Sequence, residues 1–170
     1  KVYFPRLIIP LAIVFSNLPS FLIQFVTFLG FYFYFLFFTS ASVLIHPSIF
    51  ILFIPILLFI TALLSLGFGL GIASLTVKYR DFHHAIGLLI QLWLYATPVI
   101  YPISVIPQKW RFVAAINPMT GIVEFLRFAL FGTESFHFKY LWFSIVCAFV
   151  VFGAGILLFN KAERTFVDTI

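Results

Sequence analysis

The feature that most constrains this sequence is a stretch of 71 residues, from position 7 to position 77, that contains no Asp, Glu, Lys or Arg. A transmembrane α-helix needs about 20 consecutive apolar residues to cross the hydrocarbon core of a bilayer. The stretch is therefore long enough for two such helices and the turn between them. The sequence predicts a protein that folds within a membrane.

The composition of the whole chain supports the same class. Of the 170 residues, 64% are hydrophobic and 9% are charged, whereas soluble domains carry about 25% charged residues. This difference excludes an ordinary soluble fold, a disordered chain and a collagen-like chain. The net charge of +5 comes from ten basic residues scattered between apolar blocks. Such a distribution indicates membrane topology, so no nucleic-acid partner is expected.

Four apolar segments are predicted to cross the membrane as helices, at residues 11–38, 49–75, 82–100 and 140–160. Small polar residues and Pro47 interrupt the apolar sequence between the first two segments. The charged cluster at 78–81 separates the second from the third. Pro98, Pro102 and Pro107 interrupt the apolar sequence that follows, so the third span is expected to end near Ile100. The predicted fold is all-α, with these four transmembrane helices and a pair of short external helices.

The short helices are predicted within residues 102–139, a segment that is too polar for a span and too apolar for free solvent. Asn117 suits the N-cap of a helix, Pro118 its first turn and Gly132 its end. A helix of that length is too short to cross the bilayer. With a preceding helix near 107–116, it is expected to form a re-entrant or interfacial pair on one side of the membrane.

The basic residues predict the orientation of the chain, because Lys and Arg favour cytoplasmic loops. Four spans place both ends and the second loop on one side. The six basic residues on that side are Lys1, Arg6, Lys78, Arg80, Lys161 and Arg164. The four on the other side are Lys109, Arg111, Arg127 and Lys139. Both ends of the chain are therefore predicted to be cytoplasmic.

The sequence contains no phosphate-binding loop, since none of its five lysines is followed by Ser or Thr. If the protein uses ATP, another chain binds it, and we predict no catalytic residue, cofactor or metal ligand in this chain. Asp81, His83 and His84 are close in sequence, but they stand at a span boundary, where polar residues are expected.

Two patterns of small residues predict close helix packing. Gly67 and Gly71 form a G-x-x-x-G pair inside an apolar segment, and Gly153 and Gly155 stand in the last span. Small residues let the backbones of neighbouring membrane helices approach each other closely. A nucleotide-binding interpretation of these glycines is disfavoured, because no predicted strand precedes them.

Glu124 and Arg127 stand three residues apart on the second short helix, where their side chains can pair. A paired charge would allow this helix to lie partly in the bilayer. The alternative is that the pair shapes the outer mouth of a pathway.

Aromatic residues are concentrated at 28–38, the end of the first predicted span. One interpretation is an interfacial belt, because Tyr and Trp favour the depth of the lipid headgroups. The alternative is that some rings face a pathway and stack on sugar rings. The candidates for such stacking are Tyr32, Tyr34 and Phe35.

Six segments, in this order along the chain, carry a resemblance to a known family. They are Lys1-Val2-Tyr3-Phe4-Pro5-Arg6, Tyr79-Arg80-Asp81-Phe82, Thr97-Pro98-Val99-Ile100-Tyr101-Pro102, Ile106-Pro107 with Trp110-Arg111, Asn117-Pro118-Met119-Thr120-Gly121, and Glu163-Arg164-Thr165-Phe166-Val167-Asp168. Together they resemble the permease subunit of ABC-2 type polysaccharide exporters, which move O-antigen, capsule or teichoic-acid chains.

The resemblance implies a six-helix permease half that pairs with a second copy and docks on two ABC ATPase subunits. ATP and Mg would be bound by those partner subunits. The chain has no counterpart of the family's N-terminal amphipathic helix and first two spans. Residues 1–170 are therefore expected to form one ABC-2 transmembrane domain, incomplete at its N-terminus, that holds the family's last four spans.

Two groups of residues are assigned by these motifs. Those expected to face the ATPase subunit in the cytoplasm are Tyr3, Phe4, Pro5, Arg6, Tyr79, Arg80 and Asp81. Those expected to shape an outer gate are Pro98, Tyr101, Pro102, Trp110, Asn117 and Pro118. The charged pair Glu124 and Arg127, in the same segment, is added to the outer gate.

The function that follows is a transport subunit and not an enzyme: a multi-pass permease of the cell inner membrane that exports lipid-linked polysaccharide. An ABC-2 exporter of drugs or lipids is the alternative within the same class. A membrane enzyme acting on lipid-linked sugars is a third hypothesis. It would need convergent carboxylates or His at one membrane face, and the only external carboxylates are Glu124 and Glu134.

Overall fold

The computed structural model describes residues 8–39, 46–78, 82–133 and 136–167. These ranges contain the six α-helices α1 (Ile8–Phe38), α2 (Ile54–Lys78), α3 (Phe82–Ala96), α4 (Gln108–Ile116), α5 (Pro118–Phe131) and α6 (Phe138–Val167). Short 3₁₀ turns at Ile49–Phe53 and Ile103–Val105 precede α2 and α4. The described part of the chain has no β-strand, and the predicted all-α class is confirmed.

Three segments are long and apolar enough to cross a bilayer, namely Leu11–Phe38, Ile49–Thr76 and Phe138–Ala162. They occupy the positions of the first, second and last predicted spans. The helices α4 and α5 would make a fourth span if they are counted as one, but a bend of 106° separates them. Such a bend defines either a broken span or a re-entrant pair.

The third predicted span, residues 82–100, is longer than the helix found there. α3 ends at Ala96, because Pro98 disfavours helical backbone at Thr97. Its 15 residues extend about 22 Å at 1.5 Å per residue, which is less than the hydrocarbon core of roughly 30 Å. Residues 97–107 then continue mainly as irregular backbone, interrupted by one 3₁₀ turn.

The core lies between α2, α5 and α6. Leu57, Ile60 and Leu64 recur at helical spacing on one face of α2 and are at most 5% exposed. They form one apolar cluster with Ile122 and Phe125 of α5, together with Ala129 and Ala148. These three helices therefore form the body against which the other elements are placed.

α2 and α6 approach each other closely where Gly67 lies against the backbone of Val151 and Phe152. A Cβ built on Gly67 would stand 2.6 Å from the Phe152 nitrogen, and a Cβ on Gly155 would overlap the Gly67 carbonyl. The predicted close packing is confirmed for Gly67 and Gly155. The same prediction is wrong for Gly71 and Gly153, whose added Cβ atoms would meet no atom within 4 Å.

Candidate functional site

The two short helices meet at a capped break. The Asn117 side chain accepts a hydrogen bond from the Met119 N–H at 3.0 Å, Pro118 opens α5, and Gly132 ends it with φ of 67°. The predicted N-cap and C-cap of this helix are therefore confirmed. The Thr120 hydroxyl donates to the Ala114 carbonyl at 2.6 Å, which joins the end of α4 to the first turn of α5.

The start of α5 lies alongside α6 and not beyond its end. An added Cβ on Gly121 would overlap the Tyr140 backbone and the Ser144 hydroxyl, so α5 begins alongside the first two turns of α6. Further along α5, Phe125 contacts Phe136, which precedes α6, with ring centroids 5.3 Å apart. The two helices therefore run antiparallel. This arrangement favours a re-entrant pair that enters and leaves on the same side.

A buried carboxylate on α5 binds the irregular segment 97–107. The Ile103 N–H donates to Glu124 Oε1 at 2.9 Å, and Glu124 is 5% exposed. The predicted pair with Arg127 is present, with Nη1 at 3.4 Å from the same oxygen. Arg127 Nη2 also donates to the Val99 carbonyl at 2.6 Å. One turn of α5 thus holds two points of the irregular backbone.

Two further side chains complete this set, which we call the polar clamp (Arg111, Asn117, Glu124 and Arg127). Arg111 donates from Nε to the Ile106 carbonyl and from Nη2 to the Ser104 carbonyl, both at 2.9 Å. Asn117 Nδ2 donates to the Thr97 hydroxyl oxygen at 2.8 Å. The clamp therefore holds residues 97–107 from one end to the other.

The clamp answers a physical requirement of the membrane. Backbone that is neither helix nor closed sheet is tolerated at membrane depth only where protein or water satisfies its polar groups. The clamp supplies partners for the Ile103 N–H and for the carbonyls of Val99, Ser104 and Ile106. Because side-chain hydrogen bonds between membrane helices contribute only about 0.6 kcal/mol on average, such a segment can be held without being fixed irreversibly.

The other predicted gate residues lie around this segment. Pro98 is fully buried, Pro102 precedes the 3₁₀ turn, and the Tyr101 hydroxyl donates to the Tyr95 carbonyl at 3.1 Å. An open cavity of about 400 Å³ is formed mainly by α3, α4 and the segment between them. The residues that line it are Trp93, Ala96, Tyr101, Trp110, Val113, Ala114, Ile116 and Asn117.

Sequence reasoning missed Arg111 and Trp93 as parts of this site. The sequence placed Arg111 in the topology count and in a family motif but not among the gate residues, although its position four residues after Pro107 puts it near the start of a short helix, within reach of the preceding backbone. Trp93 lies one turn before Thr97 on α3, and its carbonyl accepts from the Thr97 hydroxyl at 2.8 Å. Arg111 and Trp93 both form hydrogen bonds with residues 97–107, and the path of that irregular segment is known only from the structure.

The three aromatic candidates on α1 differ in position. Tyr34 is 56% exposed and Phe35 45% exposed, and their rings are in contact. Tyr32 is 6% exposed, and its hydroxyl donates to the Leu130 carbonyl at 2.7 Å. The prediction that Tyr32 faces a glycan pathway is therefore corrected: its ring is buried and its hydroxyl is bound within the chain.

The residues predicted to face an ATPase subunit lie outside the described residues. They are Tyr3, Phe4, Pro5, Arg6, Tyr79, Arg80 and Asp81. The structure describes the helix ends next to them, at Ile8, Lys78 and Phe82.

Asn117→Ala is expected to lower the free energy of unfolding by about 1–2 kcal/mol, because the α5 N-cap and the bond to Thr97 are both lost. Asn117→Asp keeps an oxygen for the Met119 N–H but has no Nδ2 to donate, so it should restore most of that loss. Thermal unfolding of the full-length protein in detergent measures both. Equal losses for Ala and Asp would show that the Thr97 contact, and not the cap, is the stabilising one.

The helices and the clamp together define a polytopic α-helical membrane protein with a broken helix pair held against the body on one side. Residues 2–131 match the family model of the ABC-2 type transporter. The chain therefore belongs to the ABC-2 type transporter family.

Individual relatives carry a common description. The chain is 26% identical over 168 residues to an O-antigen export system permease protein RfbA of Klebsiella pneumoniae. This alignment covers 99% of the chain and 62% of that protein. It is 27% identical over 125 residues to the RfbA protein of Myxococcus xanthus, covering 72% of this chain and 45% of the relative. The chain thus spans about three fifths, or less, of the length of these curated relatives.

Proposed function

We propose that this chain is part of the permease subunit of an ATP-driven exporter that moves lipid-linked polysaccharide across the cell inner membrane. The observation that carries the proposal is the alignment of 168 residues, nearly the whole chain, with a protein described as an O-antigen export permease. In this proposal the chain is a transport subunit. ATP and Mg are bound, and ATP is hydrolysed, on a separate ABC ATPase subunit.

The broken helix pair supports a gating role for its side of the membrane. The segment 97–107 is held by the polar clamp, while the body of α2, α5 and α6 is held by apolar packing and by the Gly67–Gly155 contact. Hydrogen bonds can exchange partners when the helices shift, whereas a close-packed body moves as a unit. We infer that opening displaces the irregular segment and α4 relative to that body.

The proposed orientation places the gate outside and the ends of α2 and α6 inside. Lys78 closes α2 and Lys161 lies near the end of α6, in agreement with the preference of basic residues for the cytoplasm. Both chain ends are then cytoplasmic. The motif residues Tyr3, Phe4, Pro5, Arg6, Tyr79, Arg80 and Asp81 stand on the side where an ATPase subunit would dock.

A second permease copy completes the proposed pathway. α3 exposes large apolar side chains around most of its circumference, including Leu88, Leu92 and Tyr95. Lipid can cover such a surface, as can another helix. Tyr34 and Phe35, which are exposed on α1, remain the aromatic candidates for contact with the glycan.

Arg80→Glu is expected to weaken the coupling between the permease and the ATPase subunit, because it reverses the charge of the proposed cytoplasmic docking loop. Membrane insertion should be unchanged, since position 80 stands outside the segments predicted from the sequence to cross the membrane. The measurements are polysaccharide-stimulated ATP hydrolysis in the reconstituted complex and the amount of permease in the membrane fraction. The matched control is Lys109→Glu, a charge reversal predicted to be on the opposite side. Normal stimulated hydrolysis in Arg80→Glu would contradict docking at this loop.

The proposed function is tested by deleting the full-length gene in its host and measuring surface polysaccharide, with the gene restored on a plasmid as control. Loss of surface polysaccharide and accumulation of its lipid-linked precursor inside the cell are expected. Normal polysaccharide with increased sensitivity to drugs, or with altered lipids, would instead favour the alternative ABC-2 exporters. Co-purification should also recover an ABC ATPase subunit, and its absence would contradict an ATP-driven exporter.

A further inference from the structure

α1 is joined to the rest of this chain mainly near its C-terminal end. Among the described side chains of α1, Tyr32 alone is buried. Its ring lies in a cluster with Ile54 of α2 and Leu130 of α5, and in edge contact with Phe131. The hydroxyl then donates to the Leu130 carbonyl at 2.7 Å, across 98 positions of sequence.

The acceptor of this bond is a group that needs a partner. The last four carbonyls of an α-helix have no intrahelical donor, and Leu130 is the penultimate residue of α5. The neighbouring Ala129 carbonyl accepts from the Ser48 N–H at 3.0 Å, and the Phe128 carbonyl accepts from the Gly132 N–H at 3.0 Å. The Tyr32 hydroxyl of α1 therefore provides the donor for a third carbonyl at the C-terminal end of α5.

The hydroxyl is not needed for apolar packing. The chain uses Phe at 26 positions, and three of them, Phe28, Phe33 and Phe131, surround the Tyr32 ring. A Phe at this position would fill the same space without a polar group to satisfy in apolar surroundings. What the hydroxyl adds is the bond from α1 to α5.

We propose that Tyr32 is a positioning residue of the gate. Its hydroxyl links α1 to α5, so that displacement of α1 is transmitted to the polar clamp. Leu130 and the clamp residues Glu124 and Arg127 belong to the same short helix of 14 residues. This helix is packed into the body of α2, α5 and α6, so α1 and the body would shift together relative to residues 97–107. The significance for transport rests on the proposed export function, whereas the physical link between the helices does not.

The link is tested by Tyr32→Phe in the full-length protein, with Tyr34→Phe as the matched control. The control removes one hydroxyl from the same helix two residues away, at an exposed side chain. Spin labels on cysteines placed at Phe37 and Thr133, both exposed, report the distance between the ends of α1 and α5. Cys147 is replaced by Ala in every variant.

We expect a main narrow distance peak, with a minor fraction of molecules at longer distances, in the parent protein and in Tyr34→Phe. In Tyr32→Phe the fraction of molecules at longer distances should rise roughly threefold, the factor that corresponds to one average hydrogen bond between membrane helices. An unchanged distribution in Tyr32→Phe would overturn the link, whatever the protein transports.

The transmission of α1 displacement to the polar clamp is measured separately, as the amount of polysaccharide exported per ATP hydrolysed in the reconstituted complex. Tyr32→Phe should lower this ratio by up to about threefold, the factor set by one such hydrogen bond. Thr27→Val, which removes an exposed α1 hydroxyl that donates only to the Ile23 carbonyl of the same helix, should keep the parent value. A lowered ratio with a widened distance distribution supports the proposal, and an unchanged ratio would overturn transmission through Tyr32. Failure of the parent complex to export polysaccharide contradicts the proposed function instead, and the distance measurement then still decides the link.

Discussion

Gly67→Ala should lower the free energy of unfolding by about 2–3 kcal/mol, because an added methyl group overpacks a tight helix contact. An ideal Cβ at this position would stand 2.6 to 2.7 Å from three backbone atoms of α6. Backbone cannot rotate out of the way as the end of a flexible side chain can. The two helices would have to separate along the contact that also contains Gly155.

The sequence offers a matched control for this substitution one turn away. Gly71→Ala adds the same methyl group to the same helix, where no atom lies within 4 Å. Since Ala is the better helix former, the control should be neutral or slightly stabilising. Unfolding of the full-length protein by SDS in bicelles measures both variants. Equal losses at Gly67 and Gly71 would contradict a specific contact between α2 and α6.

The sequence predicted the membrane class and the long helices because burial in lipid imposes a strong compositional signal. Apolar length alone locates α1, α2 and α6. The capped break was also predictable, since Asn117, Pro118 and Gly132 act through local backbone geometry. Pairing of Glu124 with Arg127 follows from helical spacing.

Contacts between distant segments could not be predicted in this way. The G-x-x-x-G pattern does not say which glycine faces another helix, so Gly67 and Gly71 were equivalent in the sequence and differ in the structure. Tyr32 stands within an aromatic block, and nothing local distinguishes a ring that faces a pathway from one bound to a carbonyl 98 residues away. The third span was predicted to end near Ile100, but α3 ends at Ala96, because Pro98 already disfavours helical backbone at Thr97.

The irregular segment 97–107 and the body are stabilised by different physical forces. The body depends on apolar side chains that are almost completely buried and on a backbone contact at glycine. Residues 97–107 are held in place by hydrogen bonds from their backbone to polar side chains of α4 and α5. Substitutions in the body should therefore reduce stability as a whole. Substitutions in the clamp should loosen residues 97–107 first and leave the helices of the body in place.

Glu124→Ala is the clamp substitution with the largest expected effect, a loss of about 2–3 kcal/mol. It leaves the Ile103 N–H without its acceptor and Arg127 without its carboxylate. Glu124→Gln keeps an oxygen for the Ile103 N–H and removes only the charge. Its loss should be about 1 kcal/mol or less, because the ion pair is 3.4 Å long and Arg127 Nη2 keeps its hydrogen bond to the Val99 carbonyl.

Amide hydrogen exchange at Ile103 separates the two roles of Glu124. In Glu124→Ala exchange at Ile103 should rise about tenfold or more, the factor that corresponds to roughly 1.4 kcal/mol, while amides in the middle of α2 keep their protection. In Glu124→Gln exchange at Ile103 should stay within a few-fold of the parent. If Ala and Gln raise exchange equally, the ion pair with Arg127 holds the segment and the Ile103 hydrogen bond does not. If neither variant changes exchange, Glu124 is not part of the clamp.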